Sequence, residues 1–146
     1  MPGVSAAPQL RLAPPTESYR RLAFYIRLTA DKLALRDHEV TLDQRPAVPG
    51  RIAECELSPF RQSITVRVGV NFFDLPRDQQ RHAIVHELVH AHVAAVCAMV
   101  EQNVPPWMPV KTWEMFQGMF ERDLEVLVDT IAVLLSPVTD LPAWED

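Results

Sequence analysis

The stretch from Ile84 to His92 reads IVHELVHAH and sets two histidines four residues apart with a glutamate between them. In an α-helix, residues four apart stack on one face about a turn apart, so His86 and His90 can aim their imidazoles at one point. That is the bite of a tetrahedral zinc ion, which takes nitrogen ligands at about 2.0 to 2.1 Å. Glu87 lies about 100° further round, badly placed as a third ligand but able to reach a water on the metal. With five histidines and ten glutamates in 146 residues, an HExxH pattern arises by chance only about 0.01 times per sequence, so the spacing carries weight. Ile84, Val85, Leu88, Val89, Val93 and Val96 make the segment apolar on most sides, which predicts a buried helix whose polar side chains need partners. The blander alternative is a pair of core histidines bonded to backbone carbonyls. His82, one turn before His86 on nearly the same face, reads either as a support for the site or as a surface residue. His92 points away and reads as structural or exposed.

Two histidines do not complete a protein zinc site; a third ligand is required, with the fourth position left to water. No histidine follows His92, and the positions an extended histidine motif would use hold Val93 and Val96. A carboxylate must then serve. In LEVLVDTIAVLL, apolar residues cover every side of the helix from Leu124 onward, which predicts a buried turn, and Glu125 and Asp129 sit inside it on one face. A cation accepting Glu125, with Asp129 taking an N–H from a liganding imidazole, satisfies both carboxylates. Unpaired helix-surface acids are the alternative, and Glu121, one turn earlier, is the substitute ligand. The expected cofactor is Zn2+, one per chain.

These residues need elements to carry them. From Thr16, an N-cap candidate after Pro14 and Pro15, Leu22, Tyr25, Ile26, Leu33 and Leu35 recur at helical spacing and predict a first helix to about Leu35. Three short β signals follow, at 38–42, 51–57 and 63–70; in the last, Ile64, Val66, Val68 and Val70 alternate with Thr65, Arg67 and Gly69. Asp74 is then expected to cap a long helix with Pro76 in its first turn, running through the histidines to about Gln102. After NVPPW, the residues Trp113, Phe116, Phe120, Leu124, Leu127, Ile131 and Leu134 step by threes and fours, the strongest helical period in the chain. Helix, about three strands, helix, helix is an α+β order, with a small mixed sheet.

The length is that of one domain, expected over 16–137, with a flexible tail at 1–15 and a C-terminal tail at 138–146. An apolar share of 48% and a charged share of 23% are ordinary for a globular chain. Residues 1–81 hold 12 of the 14 Lys and Arg against 9 acids, and residues 82–146 hold 2 against 10, so the histidine helix lies in the acidic part. That argues against nucleic acid as the direct partner. No apolar secretory core opens the chain and no uncharged run reaches the ~18 residues of a membrane span, so a cytoplasmic protein with no membrane partner is expected. Cys55 and Cys97 are too few for a disulfide or thiolate-zinc framework, and both read as free thiols.

HELVH followed on a later helix by Glu125 and Asp129 resembles the gluzincin metallopeptidases, in which two histidines and a glutamate bind zinc. More narrowly, SITVRVGVNFF leading into RHAIVHELVHAHV and then LEVLVDTIAVLLSP is similar to the ImmA/IrrE-like family of small bacterial and phage metallopeptidases. The resemblance spans about Ile64 to Pro137. It implies a minimal zincin-like fold, His86, His90 and Glu125 as ligands, Glu87 as general base and Asp129 as the supporting acid. Val89 departs from the glycine usual in the family's HExGH, and Val128 and Ile131 from its alanine and phenylalanine. The function so implied is a zinc metalloendopeptidase acting on a protein or peptide, in that family often a repressor or regulatory protein. The competing expectation is a zinc-binding regulatory or interaction protein without proteolytic activity. Tyr19, Tyr25, His38 and His82 are the candidates for stabilising an oxyanion, and the strand from Ser63 to Val70 for holding an extended peptide along a sheet edge.

Overall fold

The computed structural model describes residues 15–58 and 61–144. The chain is α+β: helix α1 (Glu17–Lys32), strands β1 (Glu39–Leu42), β2 (Ala53–Ser58) and β3 (Ser63–Val68), then helices α2 (Arg77–Asn103) and α3 (Val110–Leu135). Thr16 caps α1 as its side chain accepts from the Tyr19 N–H, and the helix stops at Leu33, two residues short of the expected end, where Ala34 turns to a φ of 60°. The expected cap at Asp74 is not made. Asp74 lies in a separate 3-10 turn, and Pro76, extended at φ −53° and ψ 141°, is the residue from which α2 starts. Proline suits that position because the first helical amides have no intrahelical acceptor.

The sheet is mixed, in the order β1-β3-β2: β1 runs parallel to β3, with Val40 opposite Ile64, and β2 antiparallel to it, with Cys55 opposite Val66. The strand expected to offer an edge is therefore the central one; its hydrogen bonds are taken on both sides, and the edges belong to β1 and β2. Its alternation holds, with Ile64, Val66 and Val68 buried and Ser63, Thr65 and Arg67 less so, but Val70 lies beyond the strand and is exposed. Gly69, just after β3, has no room for a side chain, since a Cβ there would meet the Arg51 carbonyl oxygen at 2.5 Å. The outer face of the sheet carries Arg67, which bridges Asp43 and Glu56 at 3.0 and 3.1 Å.

The inner face, with Val40, Ala53, Ile64, Val66 and Val68, packs with Leu22, Tyr25 and Ile26 of α1 and Ile84 and Leu88 of α2 around the buried Phe72. A second, smaller cluster joins α2 to α3 through Val85, Val89, Val128 and Ala132. Each fully buried valine is worth on the order of 1.5 to 3 kcal/mol, so these few contacts set the seat of α3. Between Val89 and Val128 no described residue is fully buried, although the segment is rich in Val, Met, Phe and Trp. The expected burial of the last helix is thus corrected: Val126, Leu127, Val133 and Leu134 are about half exposed or more, because only one side of α3 meets α2. Arg77–Trp107 is long and apolar enough to cross a membrane by length and composition; in this fold its Gln80–Val89 part is packed against the sheet and α3.

Residues 138–144, set apart above as a C-terminal tail, lie against α1 and α2. Thr139 is buried and donates to the Ser136 carbonyl, which leaves its oxygen to accept from the Tyr25 hydroxyl at 2.8 Å. Trp144 donates its indole N–H to the buried Gln80 at 2.9 Å and stacks edge-on against Phe73, while Arg77 donates to the Leu141 and Pro142 carbonyls. The expected N-terminal tail falls, except for Pro15, outside the described residues.

Candidate metal centre

The seat of α3 on α2 decides what faces what. Val85 and Val89 meet Val128 and Ala132 at the contact; His86 and His90 each follow a contact valine by one residue, and Glu125 and Asp129 each precede a contact residue by three. All four therefore turn to the same flank of the helix pair. There His86 Nε2 and His90 Nε2 stand 3.2 Å apart, with Glu125 Oε2 at 3.4 Å from the first and Glu125 Oε1 at 3.3 Å from the second. In a tetrahedron with bonds of about 2.0 to 2.1 Å, ligand atoms lie roughly 3.3 to 3.4 Å from one another, so the spacing fits a metal of that size. With both imidazoles neutral and carrying their protons on Nδ1, every atom pointing inward is an acceptor. Such a cluster calls for a cation or a proton at its centre. These residues are positioned to hold a metal ion.

The burial of the site differs from the expectation. The histidine side chains are 20% exposed, but Glu125 and Asp129 are 56% and 58% exposed. Burial alone therefore does not oblige these carboxylates to find a cation; it is the convergence of Glu125 with two imidazole nitrogens that points to one. The exposure leaves the α3 side of the cluster open, as a metal site with a free coordination position requires.

Asp129 stands beside His86 on the ring nitrogen that faces away from the cluster, with Oδ1 3.5 Å from Nδ1. The same oxygen accepts from His82 Nε2 at 2.8 Å. Glu121 is not part of the centre: it accepts from Gln117 on its own helix at 3.0 Å and is exposed. His92 leaves the site and its Nε2 donates to the Leu33 carbonyl at the end of α1, at 2.7 Å. Of the four oxyanion candidates only His82 stands by the cluster. Tyr19 packs on Phe73, Tyr25 is engaged by Thr139, and His38 lines a cavity with Leu35 and His92.

Glu87 is half buried and lies by β2, where it acts on Cys55. Burial first, and then the Glu87 carboxylate, hold the Cys55 thiol far above its ordinary range. Cys55 thus belongs to the surroundings of the centre, which its place on a strand does not by itself reveal. The signal was present in β2: alternation puts Cys55 on the face of Ala53 and Leu57, the face that packs on α2, but which helical residue it would meet depends on tertiary packing.

Comparison with known proteins finds no match. No family model, no curated protein and no solved structure is similar enough to say what this chain belongs to.

Proposed function

We propose that the chain is a zinc-dependent metallopeptidase whose ion is held by His86, His90 and Glu125 and whose general base is Glu87. The observation that carries the reading is the convergence of two imidazole nitrogens and a carboxylate from two different helices at 3.2 to 3.4 Å, with a second carboxylate, Glu87, next to one of the ligands in an HExxH spacing. Two histidines and a carboxylate also accept Fe(II) and other divalent ions. Zinc is preferred because only a hydrolytic site gives Glu87 work to do, and because the motif resembles the gluzincins.

Zinc, when bound at such a site, lowers the pKa of a coordinated water towards neutrality and polarises a carbonyl. The chain supplies the remainder. Glu87 accepts a proton as the water attacks and delivers it to the departing amine. Asp129 faces His86 Nδ1 at 3.5 Å, the side from which a carboxylate would favour a proton on Nδ1 and leave the Nε2 lone pair for the metal. β2 rather than β3 has the free edge on which an extended peptide would pair, and it is the strand beside Glu87.

The test compares wild type with Glu87→Gln, both loaded with zinc and incubated with a complex mixture of peptides whose new termini are then identified by mass spectrometry. Metal content and melting temperature should match in the two proteins, while cleavage falls by about 10² to 10⁴ in the variant. Equal metal with no cleavage by wild type, or cleavage unchanged in the variant, would favour the zinc-binding regulator over the peptidase.

A further inference from the structure

We infer that His82 is a positioning residue of the metal centre: by donating to Asp129 it holds the carboxylate that in turn orients His86. The inference rests on the proposal that His86, His90 and Glu125 bind zinc, and it extends that centre by a third histidine.

The geometry separates two roles His82 could have. His82, His86 and Asp129 lie close enough to form a metal-binding group of their own. Ligand atoms around one zinc ion are held roughly 3.3 Å apart, as in the neighbouring cluster. His82 Nε2 and Asp129 Oδ1 are 2.8 Å apart, the length of a charge-assisted N–H···O bond. No ion is needed to explain that contact. His86 also turns only Nδ1 towards Asp129, its Nε2 being directed at Glu125 and His90. A single carboxylate oxygen thus accepts from His82 at 2.8 Å and faces His86 Nδ1 at 3.5 Å.

The need for such a clamp follows from exposure. Asp129 stands on the open flank of α3, and a carboxylate there is free to change rotamer. Among the described residues its hydrogen-bond and ion-pair partners are His82 and His86. The hydrogen bond to Asp129 is the one from His82, so His82 is the residue that keeps Asp129 facing His86. His82 is itself set by α2, one turn before His86, with ring centroids 6.1 Å apart. A ligand whose second nitrogen is held by a carboxylate has its tautomer and ring angle fixed, and loss of that support typically costs ~10 to 100-fold in metal affinity.

The experiment is a zinc titration against a competing chelator, on wild type, His82→Phe, His82→Gln, Asp129→Asn and the double variant His82→Phe/Asp129→Asn. Phenylalanine keeps the ring volume without the N–H, and glutamine returns an N–H near the same place. Zinc affinity should fall about tenfold in His82→Phe, recover most of that loss in His82→Gln, and be no weaker in the double variant than in Asp129→Asn alone. Circular dichroism of the metal-free proteins should be the same for all, and His82→Gln keeps the test valid if phenylalanine disturbs the fold. Equal affinity in wild type and His82→Phe, or losses that add in the double variant, would overturn the role of His82 while leaving the zinc centre standing. A wild type without zinc affinity would overturn both.

Discussion

Glu125 carries the ligand assignment at the level of the single residue, because it is the group that brings the second helix to the histidines. Glu125→Ala should lower zinc stoichiometry, measured by elemental analysis after dialysis, well below one per chain. Glu121→Ala should leave it unchanged, since Glu121 is held by Gln117 away from the cluster. The opposite pattern would make Glu121 the ligand. At Cys55 the expectation concerns protonation. A thiol whose pKa is raised by burial and by Glu87 keeps its proton through the neutral and mildly alkaline range, and the thiolate is the reacting form. Alkylation of Cys55 by iodoacetamide at pH 8 should therefore be much slower in the folded protein than in the urea-unfolded chain, as mass spectrometry of the labelled peptide would show. At this scale much was legible. The spacing of His86, Glu87 and His90 needs only a helix to converge. Glu125 and Asp129 stand by the histidines although they are exposed, so apolar surroundings on their helix are not what brings them there.

The elements act through one contact. α3 packs on α2 at Val128 and Ala132, and the flank of the same helix pair brings Glu125 to the two histidines. Ala132→Leu should push the helices apart. Overpacking of this kind costs about 1 to 3 kcal/mol, and here it should lower zinc affinity in the same measure as it lowers the melting temperature. A variant that is destabilised but keeps full affinity would show that the ligands are carried by something other than this contact. The helices were readable because their period is local, down to the Thr16 cap of α1. α2 does not start at the expected Asp74 because Asp, a good cap by its chemistry, sits in a 3-10 turn whose following residues are extended. Which strand is central was not readable. β3 has the clean alternation expected of a strand with one buried face, and that pattern is the same whether one edge is paired or both.

The whole molecule is unevenly consolidated. The inner sheet face, α1 and the first part of α2 share one core, whereas the segment between Val89 and Val128 has no fully buried side chain. Hydrogen exchange should follow that division. Amides of residues 91–127 should exchange markedly faster than those of β3 or of α2 near Leu88, since local opening there exposes little apolar surface. Uniform protection along α2 would contradict it. A metal held by both helices should also stabilise the fold by mass action. At a zinc concentration about 100 times Kd the gain is about 2.7 kcal/mol, or roughly 5 to 10 °C in melting temperature for a chain of this size, reversed by a chelator.

By itself the sequence determined what is local: the α+β order, the helical spacing that turns His86 and His90 to one side, and the four-residue offset that does the same for Glu125 and Asp129. Each depends on backbone periods that hold whatever the neighbours are. Only the tertiary structure decided what is relative. It set α3 against α2 so that Glu125 meets both imidazoles, placed Cys55 beside Glu87, and folded residues 138–144 back onto α1 and α2. It also put one oxygen of Asp129 between His82 and His86. Those pairings join residues up to 126 positions apart, as between Ser18 and Trp144, and no period in the chain encodes them, because they follow from which apolar faces close on one another.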